Sequence, residues 1–156
     1  MRLPGRTTVP RLRQKGPFPC NPTFAAAYLI LGVIRLSQNR IQDSITATEY
    51  GLRLNPADPQ NFSWLLSLAV AHWLGGDPAA GLKAIDRALH LRPDWVPALK
   101  VRAVCEASTG DLARARETVA CINSSPQPSG DPLPVVLRHH PERQGEIEAL
   151  LRSCAQ

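Results

Sequence analysis

The chain has 156 residues, 44% hydrophobic and 20% charged, which is one ordinary folded domain's worth and excludes both a low-complexity chain and a membrane bundle. Aromatic residues are only 5% of the total, so the core is expected to be aliphatic. The net charge of +5 raises the question of nucleic-acid or membrane partners, and its position in the chain answers most of that question.

Arg2, Arg6, Arg11, Arg13 and Lys15 are the only charges before Arg35, and removing them leaves 13 basic residues against 13 acidic ones. The excess therefore belongs to a terminal arm. Residues 1–20 are rich in Arg, Pro, Gly and Thr and are predicted to be disordered, because they cannot bury enough apolar surface to order themselves. Five charges without interleaved aromatics provide a weak, salt-sensitive attraction to nucleic acid or anionic lipid at most. The arm is broken by Pro4, Pro10, Pro17 and Pro19 and has no apolar core behind it, so it does not read as a secretory signal. Cys20, Cys105, Cys121 and Cys154 form no C-x-x-C pair and no disulfide framework. The expected setting is reducing and cytoplasmic.

From Pro22 the chain becomes periodic. Pro22 and Pro56 lie 34 residues apart, and Pro56 and Pro93 lie 37 apart. Gly76-Asp77 and Gly110-Asp111 share the 34-residue offset, as do Leu65 and Leu99, Ala69 and Ala103, and Ile85 and Val119. Asp77-Pro78 predicts an N-cap followed by a proline in the first helical turn, and Asp111 predicts the equivalent cap one period later. Asp58-Pro59 reads the same way for a helix carrying Phe62, Leu65, Leu66 and Ala69, with the three extra residues of the 37-residue interval as one more turn at its start. Leu82, Ile85, Ala88 and Leu89 form an apolar helical stripe. Residues 123–137, rich in Ser and Pro, are predicted to be a linker. Residues 138–156 are predicted to carry a last helix, from Pro141 to Ser153, with Ile147, Leu150, Leu151 and Cys154 on one face and a Glu148–Arg152 pair one turn apart. Such a helix is marginal alone and is expected to dock.

With these residues in view, Asn21 to Ile122 resembles three tetratricopeptide repeats, of about residues 22–56, 57–93 and 94–122. Tyr28, Leu31 and Gly32 match the first helix of the pattern, although Ser44, Thr48 and Gly51 depart from it in the second. Gly81, Ile85, Ala88 and Pro93 fit the second repeat, and Gly110, Ala115 and Val119 the third, where Ile122 replaces a small residue and no closing proline follows. The resemblance implies an all-α, right-handed α-solenoid of three helix pairs plus a C-terminal capping helix. More narrowly, Leu54-Asn55-Pro56-x-Asp58-Pro59, Leu68 to Gly76 and Ala88 to Pro93 are similar to repeats C-terminal to bacterial class III nucleotide cyclases and to those following winged-helix regulators. That likeness implies a cytoplasmic signalling module for protein–protein or inter-domain interaction, without catalysis of its own. Asn21-Pro22 stands where an earlier repeat would close, so the chain is expected to be the C-terminal part of a longer repeat protein, with any cyclase or DNA-binding domain upstream.

Carried onto this chain, the family's groove positions are Ala26, Leu29, Val33 and Leu36, then Ser63, Leu66, Val70 and Trp73, then Pro97, Lys100, Val104 and Ala107. This lining is apolar. Lys100 is the one residue suited to gripping a carboxylate tail, so the expected occupant is an amphipathic helix of a partner, another domain, or the chain's own C-terminal helix. Trp64, Trp73 and Trp95 are candidate anchors, and Trp95 is expected to pack between repeats. His72, Cys105 and Cys121 read as core residues, and His139-His140 as a solvated junction rather than a metal site. Glu106, Glu117, Glu146 and Glu148 read as solvated charge. No nucleophile–base pair, phosphate loop or carboxylate pair is recognisable, and no cofactor is expected.

Overall fold

The computed structural model describes residues 22–125 and 140–154, and the basic arm and most of the proline-rich linker lie outside them. Seven helices make up the described chain: α1 (Pro22–Ser37), α2 (Ile41–Leu54), α3 (Asn61–Leu74), α4 (Pro78–Leu91), α5 (Val96–Ser108), α6 (Leu112–Ser124) and α7 (Pro141–Cys154). No strand occurs among the described residues, and no helix there is long and apolar enough to cross a membrane.

The helices pair in chain order, α1 with α2, α3 with α4 and α5 with α6, and the pairs stack through α2 on α3 and α4 on α5. This is an α-solenoid of helix pairs. The corner inside each pair is built the same way. Asn39, Gly76 and Gly110 have φ of 58°, 83° and 88°. They stand 37 and then 34 residues apart, so the left-handed position recurs with the sequence period. At each corner the next residue's N–H reaches back five positions: Arg40 to the Arg35 carbonyl at 2.8 Å, Asp77 to His72 at 2.9 Å, and Asp111 to Glu106 at 3.0 Å. That bond satisfies a carbonyl that the helix end leaves open. The same residue then begins the next helix. Asp77 accepts from the Ala80 N–H at 2.9 Å and Asp111 from the Arg114 N–H at 3.2 Å, caps worth about 1 kcal/mol each. Arg40 makes no such side-chain cap.

The corner between the first two pairs differs from the sequence expectation. Asp58 does not cap α3. Its Oδ1 accepts from the Gln60 N–H at 2.8 Å and its Oδ2 from Asn55 Nδ2 at 3.1 Å, so the carboxylate closes a turn and the helix begins at Asn61. Asn61 fastens the turn from the other side, donating to the carbonyls of Asn55 and Pro56. Two of the three extra residues therefore lengthen the turn, and one lengthens the start of α3.

The core is one aliphatic cluster running from Leu29 and Leu36 in α1 through Leu65, Val70 and Ile85 to Ile147 in α7. A smaller cluster joins Ala103, Ala115, Val119 and Cys154. Ser44, Thr48 and Gly51, which depart from the repeat pattern, are all buried in α2. Their small size lets α1 and α2 cross closely. A Cβ at Gly32 would collide with Thr48 Oγ1, and one at Gly51 would meet Leu29 Cγ at 2.7 Å. At the far end Ile122 is buried, and α6 runs on to Ser124, into the start of the predicted linker.

Gly32→Ala is expected to lower unfolding stability by about 1–3 kcal/mol in urea denaturation, the usual cost of overpacking. In a Thr48→Ala background the same substitution should cost much less, because the obstructing hydroxyl is gone. Equal losses in both backgrounds would show that this crossing is not what holds α1 against α2.

Candidate functional site

The first helices of the three pairs lie side by side, α1 touching α3 and α3 touching α5. The 37- and 34-residue offsets put Leu29, Leu66 and Lys100 at one level. Val33, Val70 and Val104 form the next, and Leu36, Trp73 and Ala107 the third. Val33 is half-buried, whereas Leu36, Leu66, Val70, Trp73, Lys100 and Val104 are all buried. Leu29 is used inside the first pair, against Gly51 of α2, so its side chain serves the α1–α2 crossing instead of an open groove. Of the remaining positions, Ala26 is exposed and Ser63, Pro97 and Ala107 are half-buried.

The last helix closes part of this face: α7 packs on α5 and α6, and His140 and Arg143 at its start extend the contact to Leu36 of α1 and Trp73 of α3. His140, immediately before it, lies 3.2 Å from the Leu36 carbonyl through Nε2. A carbonyl can only accept, so Nε2–H is the donor. This bond falls at the C-terminal end of α1, where carbonyls lack helical partners. One turn on, the Arg143 guanidinium stands 4.7 Å from the centre of the Trp73 ring. Ile147 joins the central core, with Leu150 and Leu151 packed against it. Cys154 ends the helix in the smaller cluster between α5 and α6. The Glu148–Arg152 pair spans 3.8 Å on the exposed side.

Trp73 connects these parts. Its Nε1–H donates to Ser108 Oγ at 2.9 Å, and Ser108 Oγ donates to the Val104 carbonyl at 2.8 Å. The indole is thereby fixed to the last turn of α5 while one face is left to Arg143. Such a cation over an indole contributes about 0.5–2 kcal/mol, more as water is excluded. Trp95 packs edge-on against Phe62 with ring centres 4.8 Å apart, so it does sit between the second and third pairs. Arg92 lies over both rings. Trp64 is half-buried against the core.

Several polar residues differ from the sequence reading. Glu106 is not solvated: it is 2% exposed and accepts from Thr118 Oγ1 at 2.7 Å and from Arg102 Nε at 2.9 Å. Asp86 of α4 lies 3.5 Å from the same Arg102 nitrogen, which joins the second pair to the third. Glu117, Glu146 and Glu148 are exposed. His140 is buried rather than solvated, because α1 supplies its partner, and His72 is half-exposed. Cys105 is buried, and its thiol is pushed up to about 12 by burial and by the neighbouring Glu106 carboxylate. Cys121 is exposed, at the position that Arg87, also exposed, holds one pair earlier. Cys20 and His139 lie outside the described residues. Among the described residues no three His, Cys, Asp or Glu side chains gather as a metal site would require.

The tetratricopeptide repeat family model matches twice, over residues 31–95 and 66–126, and together these spans cover more than half of the chain. No curated protein sequence matches. Among solved structures, the TPR2B domain of yeast Sti1 in complex with pHsp70 is 14% identical with a TM-score of 0.65, covering 86% of this chain and 98% of that one. The Yersinia enterocolitica type III secretion chaperone SycD, in complex with a peptide of the translocator YopD, is 12% identical with a TM-score of 0.63, covering 83% and 90%. PcrH from Pseudomonas aeruginosa is 15% identical with a TM-score of 0.64, covering 95% and 100%. At these identities the likenesses establish the fold.

Thiol labelling of the native protein near neutral pH, read site by site by mass spectrometry, should modify Cys121 readily. Cys105 should be modified only after unfolding, since the thiolate is the reactive form and burial suppresses it. Labelling of both at similar rates would contradict the packing of α5 on α4.

Proposed function

Because this chain belongs to the tetratricopeptide repeat family, we propose that it is a protein–protein interaction module that holds a helical segment across its first helices. The observation that carries this reading is α7, which packs on α5 and α6 with Arg143 over Trp73 of α3 and Ile147 in the core. On this reading the face receives helices, and the start of α7 occupies part of it.

The chemistry of that surface defines what fits it. A helix seated there presents a cation, an aliphatic residue four positions later, further aliphatic residues after another turn and a small residue at the end, as Arg143, Ile147, Leu150, Leu151 and Cys154 do. A partner helix must carry that pattern and replace α7, or add to the surface beside it. The groove residues we assign are Val33, Leu36, Leu66, Val70, Trp73, Lys100 and Val104, with Leu29 supporting them from the α1–α2 crossing. Lys100 alone among them carries a charge, so an acidic peptide tail finds little to grip. The complex of the Yersinia protein with a translocator peptide, and that of the yeast domain with pHsp70, support a protein-binding reading of the fold.

We place the module in a bacterial signalling system and assign it no catalysis. The likeness of Leu54 to Pro93 to repeats attached to nucleotide cyclases supports that setting, and the paired or solvent-facing carboxylates are consistent with a purely structural charge pattern.

The experiment is to remove the occupant and return it in trans. A chain ending at residue 137 should melt lower than the full chain and bind a synthetic peptide of residues 138–156, recovering melting temperature as peptide is added. The peptide carrying Ile147→Asp should not bind. An unchanged melting temperature on truncation, or equal binding of both peptides, would defeat the helix-in-groove reading.

A further inference from the structure

Where the first pair meets the second, a cavity of about 300 Å³ opens between Glu49, Leu52, Arg53, Pro56, Leu68 and Arg87. They come from α2 and the turn after it, from α3 and from α4. Leu52 and Leu68 are buried and give the cavity an apolar floor, whereas Arg53 and Arg87 are exposed. None of these residues belongs to the concave surface, and α7 touches none of them.

The repeat offsets show why this space is open. Leu68 corresponds to Arg102 one pair later, and Glu49 corresponds to Asp86. At that later junction Arg102 Nε lies 3.5 Å from Asp86 and 2.9 Å from Glu106, so a guanidinium spans the gap between the pairs. Leu68 cannot do the same. Glu49 is left to Arg53 of its own helix, 4.0 Å away, and an exposed pair at that distance holds weakly. Arg87 makes no ion pair or side-chain hydrogen bond among the described residues.

Two guanidiniums against one carboxylate leave one positive charge unmatched beside two buried leucines. The group that complements such a lining is apolar at one end and a carboxylate at the other. Its apolar part covers Leu52 and Leu68. Its carboxylate accepts the forked N–H pair of Arg87, which suits a planar anion better than an ammonium would. A ligand with two or more negative charges would meet Glu49 and is disfavoured. The volume is at the low end for small-molecule sites, about 300 Å³, so one leucine-sized group fills it. We propose that this crevice binds a monocarboxylate with a branched aliphatic body. A free branched-chain acid and the C-terminal leucine of a peptide both offer that chemistry. The proposal does not depend on what the concave surface holds.

The test is to titrate the isotope-labelled full chain with isocaproate, N-acetyl-leucine and N-acetyl-leucinamide, following the signals of Leu52, Leu68 and Arg87 by nuclear magnetic resonance. At least one of the two acids should saturate with a Kd of about 1 mM, and the amide should bind at least about tenfold more weakly. Binding of N-acetyl-leucine assigns the crevice to a chain end, and binding of isocaproate alone assigns it to a free acid. Arg87→Gln should weaken the acid by at least about fivefold, and Glu49→Gln should strengthen it, both with the melting temperature of the wild type. Acid and amide binding equally would overturn the proposal. So would the absence of saturable shifts at Leu52 and Leu68, or binding indifferent to Arg87→Gln.

Discussion

Trp73 is where α3, α5 and α7 are held to one another. The indole N–H is spoken for by Ser108, so the ring cannot turn without leaving a buried donor unpaired, at a cost of about 1–3 kcal/mol. With the ring held, its face becomes a defined seat for the Arg143 guanidinium. Arg143 is one turn from Ile147, and the position of Ile147 decides which residues of α7 enter the core. The smaller cluster at Cys154 lies at the end of the same helix. A weak individual contact thus sets the register of a 14-residue helix that has little stability of its own.

The pair-and-stack plan was legible because the physics that makes it is local. A left-handed corner followed by a helix cap leaves Gly-Asp in the sequence, and stacking leaves small residues at fixed intervals. The same locality explains the misreading at Asp58. Asp58-Pro59 and Asp77-Pro78 are alike as dipeptides, but Asn55 and Asn61 bracket the former and draw its carboxylate into a turn. Three residues off the repeat pattern, Ser44, Thr48 and Gly51, look like decay in one dimension. In the structure they are what α1 needs in order to approach α2.

The site was only half legible. Ile147, Leu150, Leu151 and Cys154 announce a buried face by their spacing alone. His140 and Arg143 do not, since their partners are the carbonyl of Leu36 and the ring of Trp73, far away in sequence. Glu106 has part of the same difficulty: Arg102 is one turn away on its own helix, but Thr118, which buries and bonds its other oxygen, lies on the neighbouring one. Polar residues are read as solvated unless their partners are close along the chain, and a solenoid closed by its own tail violates that habit wherever the tail lands.

The bond between His140 and the Leu36 carbonyl joins residues 104 positions apart in the chain. In an open stack each pair senses only its neighbours, so the outermost helices fray independently and unfolding spreads inward. With His140 bonded to α1 and the helix that follows it packed on the α5–α6 pair, the two ends of the stack are tied to one another. Loosening α1 withdraws support from α7, and through it from α6. A linear array that would lose its ends one at a time is given the cooperativity of a ring.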